Sequence, residues 1–200
     1  MSNIKVRNTG SDEAIYIDGY ASVFNQRSRL IYEDGKFFYE IIKEGAFDDV
    51  LRSDNLNVKA VLNHNEEKLL GRTKSGTLEL TVDETGLKYS IRMGNTQLHR
   101  DTIEMVERGD LSESSFKYRV KKGDSTFERD ENGDLLHVVS RVSGLYDISL
   151  VNDGAFANTD VTIRSAINEF IQAENEEILR QIKEENQSKR DYINTLKGTI

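Results

Sequence analysis

Glycines divide the first 165 residues into short segments that are β-rich in composition, and this pattern constrains the fold more than any other feature. Such segments are typical of strands, and glycine is typical of the turns between them. We predict strands in these segments: 15–24, 37–42, 58–64, 77–83, 87–93, 114–120, 135–142 and 145–151. Because many strands with few helices favour a barrel, we predict a mainly β fold with helices, built on a β-barrel core of about seven strands.

Two segments between the strands have helical patterns instead. Residues 45–51 predict a short helix, and residues 96–109 predict a longer one that ends at a glycine. Either Asn95 or Thr96 can cap the N-terminus of the longer helix. Three apolar residues lie roughly on one face of it: Leu98, Ile103 and Val106.

The composition changes near residue 165, where the sequence becomes rich in Glu, Gln and Ala. Isoleucines recur there at helical spacing, at Ile167, Ile171, Ile178 and Ile182. They predict a long C-terminal amphipathic helix, either continuous or broken near residues 186–188. The chain is therefore predicted to have a β-barrel domain, 1–164, and a helical tail, 165–200. Two roles for the tail remain open: packing on its own barrel, or serving as a partner-binding or removable segment.

The composition also limits the classes of function. The chain has 200 residues, 36% of them apolar, and no apolar run as long as a membrane span. It has no cysteine, which excludes disulfides, thiol catalysis and cysteine zinc sites. The formal net charge is −8 with both signs interspersed, so we expect neither nucleic acid nor a membrane as a partner. The first twenty residues lack a basic segment followed by an apolar one, so we expect no signal peptide and a cytoplasmic location.

Three residues in the β-rich region have the side chains that acyl transfer requires. His64 lies in LNHNEEKLLGR, Ser115 lies in GDLSESSFKY, and Asp147 lies in LYDISLV. A serine hydroxyl becomes an effective nucleophile only when a neighbouring base takes its proton. A histidine oriented by an acid does this in unrelated folds, and the order of the three residues in the chain varies. A Ser–His–acid site is therefore the first hypothesis.

Alternation along two of the strands predicts where these side chains point. In the first strand one set is mainly apolar and should face the barrel interior: Ser114, Phe116, Tyr118 and Val120. Ser115 then faces outward, where a substrate can reach it, together with Lys117 and Arg119. In the second strand the inward set is Tyr146, Ile148 and Leu150, so Asp147 and Ser149 face outward.

Ordinary structural roles compete with this hypothesis. Most serines lie at surfaces or in turns, and most histidines are structural or exposed. We interpret His99 as a surface residue and His137 as a cross-strand partner. The polar group around His64 lacks the ligand spacing of a zinc site, so we predict no metal. The residues alone leave two interpretations open, a β-rich domain with a Ser–His–acid site and one without it.

Several runs, taken in order, resemble the prohead proteases of tailed phages: GYASVFN, IIKEGAFDDVL, VLNHNEEKLLGRTKSGTLELTVDETGL, GDLSESSFKY and LYDISLV. These proteases are capsid-maturation serine peptidases whose fold is similar to that of the herpesvirus assemblins. The likeness extends over residues 14–162. The family's histidine setting matches His64 and Gly71–Arg72. Its nucleophile setting matches Gly109, Leu111, Ser115, Phe116 and Tyr118, and its acid setting matches Asp147, Ser149, Leu150 and Val151.

The resemblance implies a function and roles for the site residues. Ser115 would be the nucleophile, His64 the base and Asp147 the acid that orients the base, with no cofactor or metal. Backbone amides near Ser115 and the side chain of Arg141 are the candidates for the oxyanion hole. The substrates would be scaffold and capsid-precursor segments, and the protease itself, inside the assembling procapsid in the host cytoplasm. Portal or other procapsid components and self-association are further partners to test.

The chain departs from the family pattern at three places. Lys117 stands where the family usually has glycine, and Asp147 stands where it more often has glutamate. Asp153–Gly154 stand where the family has a proline. Two other classes of function therefore stay open. One is a catalytically inactive barrel that acts as a scaffolding or capsid-interaction protein and docks through helix 166–200. The other is a non-viral binding module whose three residues are together by accident.

Overall fold

A computed structural model describes residues 4–8, 14–33, 35–152 and 161–197. Within them the strands are β1 (Lys5–Asn8), β2 (Ile15–Val23), β3 (Ile31–Glu33), β4 (Lys36–Ile42), β5 (Lys59–Leu62), β6 (Asn65–Arg72), β7 (Leu78–Val82), β8 (Gly86–Arg92), β9 (Glu113–Arg119), β10 (Ser125–Arg129), β11 (Leu135–Val139) and β12 (Gly144–Val151). The helices are α1 (Asp48–Leu51), α2 (Gln97–Glu107) and α3 (Val161–Lys197). The Asp153–Gly154 departure lies outside the described residues.

The strands form three four-stranded sheets, with the orders β1-β2-β8-β7, β10-β11-β4-β3 and β6-β5-β12-β9. Most neighbours are antiparallel, but β12 runs parallel to β5 and β11 runs parallel to β4. Parallel neighbours need a long connection, so these pairs join distant parts of the chain. Apolar side chains from all three sheets and from α2 pack into one core, which includes Ile17, Phe38, Val106 and Ile148.

The predicted class, mainly β with helices, is confirmed. Each predicted strand corresponds to an observed one, but the described residues form twelve strands in three sheets where we predicted about seven in one barrel. Two of the four strands that we missed, β3 and β6, lack a clear alternation. Three residues make up β3, and β6 begins with five exposed residues at a sheet edge, so neither has the alternating pattern of a half-buried strand.

Both short helices are confirmed with shorter bounds. Thr96 is the N-cap of α2, and its side chain accepts a hydrogen bond from the His99 N–H at 3.3 Å. The first helix begins only at Asp48, because Gly45 has a φ of +80° and that left-handed conformation does not continue a helix.

Helix α3 is continuous through residues 186–188 and contacts the body near its N-terminal end. Ile167 is buried, Phe170 packs on Phe127, and Arg129 forms an ion pair with Glu174 at 2.6 Å. Every residue from 175 to 189 is exposed. Within the described residues, no helix is both long enough and apolar enough to cross a membrane.

A polar cluster lies inside the core and accounts for His137. This residue is fully buried, stacks on Phe127, and its Nδ1 lies 3.0 Å from Oε2 of Glu40. The two residues are direct partners in the β11–β4 ladder, as the cross-strand interpretation predicts. The Tyr118 hydroxyl donates a hydrogen bond to the same carboxylate. The cluster satisfies a buried acid and occupies His137 in a structural role.

Replacement of Gly86 tests the close approach of β8 to β2. A Cβ at Gly86 would lie 2.0 Å from the carbonyl oxygen of Ser22, a backbone atom that moves only with its strand. We expect Gly86→Ala to lower the free energy of unfolding by about 2–3 kcal/mol, measured by urea denaturation. Gly76→Ala is the control, because its Cβ would meet nothing within 4 Å and should cost about 1 kcal/mol for the left-handed backbone. Equal losses for the two variants would contradict the proposed clash.

Candidate active site

His64 lies in a tight turn between two strands. Strand β5 ends at Leu62 and β6 begins at Asn65, so Asn63 and His64 are the two central residues of a hairpin. Both have positive φ, 49° and 53°, which a type I′ hairpin turn requires. Asparagine and histidine adopt this conformation more readily than most residues, but it still needs support from the surrounding structure.

Strand β12 supplies that support through two hydrogen bonds. The Asn63 N–H donates to the carbonyl of Leu150 at 2.9 Å, and the His64 N–H donates to Oγ of Ser149 at 2.7 Å. Ser149 is fully buried, and its hydroxyl donates in turn to the Val61 carbonyl at 3.3 Å. The turn is therefore fixed to the middle of the sheet, and with it the backbone of His64.

The imidazole of His64 contacts Asp147. Its Nδ1 lies 2.7 Å from Oδ1 of Asp147, and the two side chains are only 11% and 5% exposed. An ionised carboxylate accepts hydrogen bonds, so this contact favours the tautomer with a proton on Nδ1 and a lone pair on Nε2. Nε2 is buried and has no hydrogen-bond partner within the described part of the chain. The ring thus has the form that a general base needs.

Ser115 lies on the neighbouring strand and on the same face of the sheet. In the antiparallel pairing of β12 and β9, Ser149 is directly opposite Ser115, and Asp147 is directly opposite Lys117. Side chains directly opposite each other share a face, with Cβ atoms about 4.5–5.5 Å apart. Ser115 is therefore next to the serine that binds the backbone of His64. The sheet brings all three predicted residues to one face.

That face is buried, contrary to our expectation of an open surface. Ser115 is 8% exposed and Asp147 is 4% exposed. The predicted alternation is correct along β9, but the His64 turn packs over the face that we expected to be open. One residue was also assigned to the wrong side. Tyr146 was predicted to face inward and is 49% exposed, because a register shift between Leu145 and Asp147 interrupts the alternation of β12.

Charged side chains surround the acid of this site. The Nζ of Lys117 lies 3.8 Å from Oδ2 of Asp147, the oxygen that does not contact His64. On the other side, Lys59 donates to Glu66 at 2.5 Å. This hydrogen bond, with the charges of Lys59 and Lys117, holds the pKa of the Glu66 carboxyl below its ordinary value. Lys59 is thus occupied by Glu66, while Lys117 is close to Asp147.

Ser114, the neighbour of Ser115, has a different environment. Its Oγ lies 2.8 Å from the hydroxyl of Tyr89, a core residue whose pKa is raised by burial. Ser114 is therefore held on the core side of β9, as the predicted strand phase requires. The two adjacent serines provide a matched pair for mutagenesis.

The structure does not bring Arg141 to these residues. Its guanidinium lies 3.4 Å from Oδ2 of Asp49 in α1, and both side chains are about 60% exposed. Among the described contacts, none joins Arg141 to His64, Ser115 or Asp147. Backbone amides near Ser115 remain the candidates for the oxyanion hole.

A serine, a histidine and a carboxylate on one sheet face direct the comparison to serine hydrolases. A sequence profile of the caudovirus prohead serine proteases matches residues 2–173 of the chain. The match covers most of the chain, and the protein belongs to this family of phage capsid-maturation proteases. Searches of curated proteins and of solved structures find no match to the chain.

Sequence reasoning did not assign a role to Ser149. The signal was available, because Ser149 follows Asp147 by two residues and therefore shares its face of the strand. The sequence pattern does not predict the turn at Asn63 and His64. It also does not predict that this turn lies over β12. The contact between Lys117 and Asp147 depends in the same way on the pairing of β9 with β12.

Removal of the Ser149 hydroxyl tests the support of the His64 turn. Ser149→Ala leaves the His64 N–H without its acceptor, so we expect the free energy of unfolding to fall by about 1–3 kcal/mol. We also expect faster hydrogen exchange at the His64 amide, measured by NMR. Ser143→Ala is the control, since that hydroxyl bonds a carbonyl at an exposed position and should contribute about 0.5 kcal/mol or less. Unchanged exchange at His64 would show that Ser149 does not hold the turn.

Proposed function

We propose that the protein is an active prohead endopeptidase that cleaves peptide bonds with Ser115 as nucleophile, His64 as base and Asp147 as orienting acid. The hydrogen bond between His64 Nδ1 and Asp147, at 2.7 Å, is the observation that carries the proposal. It leaves Nε2 to act on a serine, and Ser115 is on the neighbouring strand of the same face. Membership of the prohead protease family supports the same assignment.

The reaction proceeds in two acyl-transfer steps. Ser115 Oγ attacks the substrate carbonyl while His64 Nε2 takes the hydroxyl proton, and the protonated imidazole then gives that proton to the leaving amine. Water then attacks the acyl group while His64 Nε2 takes its proton. The imidazolium returns that proton to Ser115 Oγ as the bond between Ser115 and the acyl group breaks. Asp147 stabilises the imidazolium and keeps Nδ1 protonated without taking the proton itself. No metal or cofactor takes part.

Burial of the three residues affects how the reaction starts. His64 Nε2 has no described hydrogen-bond partner, and Ser115 is 8% exposed. Hydrogen bonds between catalytic groups are often long in the free enzyme and tighten when substrate binds. We propose that the scissile segment displaces part of the covering surface and brings Ser115 and His64 to bonding distance. The charge pair of protonated His64 and Asp147 is stronger in this buried site than in water, because the local dielectric constant is lower.

Family membership implies capsid or scaffold proteins as substrates, and action inside the assembling procapsid in the host cell. We propose scaffold and capsid-precursor segments as the peptides cleaved, with the protease itself as a further substrate. The portal and a second copy of the protease are the other procapsid components that can contact the site. The β-sheet body holds the site. The exposed end of α3 is then a separate functional part.

A catalytically inactive protein that binds scaffold or capsid through the C-terminal helix is the alternative. The observation that favours it is the apolar surface of α3, where Ile178, Leu179 and Ile182 are each about half exposed. A fluorophosphonate probe separates the two functions. It attaches covalently to an activated serine, so the endopeptidase should be labelled at Ser115, and an inactive scaffolding protein should stay unlabelled.

The two adjacent serines allow a matched test of the nucleophile. We expect Ser115→Ala to reduce cleavage of the co-expressed capsid precursor by about 10³-fold or more, because Ser115 forms the acyl-enzyme in the proposed mechanism. Ser114→Ala removes the same atom one residue away, on the core side, and should retain most of the activity with a small loss of stability. Cleavage is measured by gel electrophoresis and mass spectrometry. If Ser114→Ala is inactive and Ser115→Ala is active, the nucleophile assignment is wrong.

Self-cleavage should remove part of α3. All residues from 175 to 189 are exposed, so this part of the helix opens more easily than the part packed on the body. We expect concentrated wild-type protein to lose a C-terminal segment over days, with cleavage beyond residue 174, while Ser115→Ala stays intact. Mass spectrometry of both proteins measures the difference. Identical intact C-termini would count against self-cleavage and favour a purely structural or partner-binding helix.

A further inference from the structure

Charged residues form one row across the sheet that holds the candidate site. Lys59 on β5, Asp147 on β12 and Lys117 on β9 are direct partners in the two ladders. The next row on the same face contains Val61, Ser149 and Ser115. The acid is therefore between two lysines, one strand away from each.

The two lysines are engaged differently. Lys59 is directed to Glu66, with a distance of 2.5 Å between Nζ and Oε2. Lys117 is directed to Asp147, with 3.8 Å between Nζ and Oδ2. Asp147 thus has His64 on one oxygen and a cation near the other, and the carboxylate is 5% exposed. The acid is shielded from water and the lysine is 29% exposed, so water screens this contact less than it screens a fully exposed ion pair.

We propose that Lys117 is a positioning residue that acts through Asp147 on His64. This inference rests on the proposed function of the site. Lys117 attracts Oδ2 and so favours the rotation of the carboxylate that keeps Oδ1 on the imidazole. It also offsets part of the negative charge of Asp147.

Each strand of this sheet carries charged groups. Strand β5 contributes Lys59, β6 contributes Glu66, β12 contributes Asp147, and β9 contributes Lys117 and Glu113. Glu66 and Lys59 neutralise each other, and Glu113 forms an ion pair with Arg29. Lys117 is the cation within 4 Å of Asp147 in the described residues. Its removal therefore changes the charge at Asp147 more directly than any other substitution in this group.

Lys117→Met removes the charge and keeps the aliphatic stem. We expect kcat to fall about three- to tenfold with little change in KM, because the base is misaligned after substrate binds. Lys117→Arg keeps the charge and should restore kcat.

A second readout does not depend on catalysis. NMR follows the Nδ1–H signal of His64 in full-length protein that carries Ser115→Ala, with assignment by His64→Gln. Adding Lys117→Met should shift or broaden this signal, because the carboxylate that contacts Nδ1 is no longer held, and Lys117→Arg should leave the signal unchanged. Lys122→Met is the control, because that lysine is 87% exposed and paired with Glu169. It should change neither readout.

The outcomes separate this inference from the proposed function. An unchanged His64 Nδ1–H signal in Lys117→Met overturns the role of Lys117, whatever the activity. Equal changes of this signal in Lys122→Met and Lys117→Met overturn it too, since net charge would then explain both. If wild-type protein shows no cleavage that depends on Ser115, the proposed function fails, and the Nδ1–H signal still decides whether Lys117 acts on His64 through Asp147. If Lys117→Met does not fold, Lys117→Gln replaces it in both experiments.

Discussion

The hydrogen bonds that fix the β5–β6 turn to β12 are the constraint on which the candidate site depends. Two consecutive residues with positive φ are unfavourable outside glycine, and the His64 N–H would be a costly unpaired donor if Ser149 did not accept it. Ser149 meets both needs, and Asp147, two residues earlier on the same face, then meets the imidazole. One short stretch of β12 therefore sets both the backbone and the ring of His64. The parallel pairing of β5 and β12 makes this contact between distant parts of the chain.

Burial gives this arrangement its electrostatic strength. His64 and Asp147 are nearly excluded from water, so the contact between them is screened far less than a surface ion pair. Ser115 is also buried, which means that a substrate must reach the site by moving or replacing part of its cover. We propose that a protease acting within an assembling capsid benefits from such a cover, because Ser115, as the proposed nucleophile, becomes reactive only where a substrate segment displaces the cover. The end of α3, by contrast, is exposed over residues 175–189.

The sequence predicts the class of fold better than it predicts the surroundings of the candidate site residues. Strands with one apolar face, such as β9, are readable because their alternation records burial, and Ser114 and Ser115 were placed on opposite faces correctly. Strand β6 lies at a sheet edge and its first five residues are exposed, so it lacks this alternation and was missed. The hairpin that holds His64 was missed with it. Tyr146 was misplaced because a register shift has no signature in the local pattern. The cover over Ser115 was missed because it depends on contacts between strands far apart in sequence.

The two departures from the family pattern within the site are in contact with each other. The resemblance described above implies that the family more often has glutamate at the position of Asp147 and usually has glycine at that of Lys117. An aspartate is one methylene shorter than a glutamate, so it occupies less of the space beside β9, and a lysine on that strand can approach its outer oxygen. A glycine there would leave the same oxygen without a cation, and a longer acid would compete with the lysine for that space. The residues at the two positions are therefore expected to depend on each other, and exchanging either one alone should disturb His64 more than exchanging both.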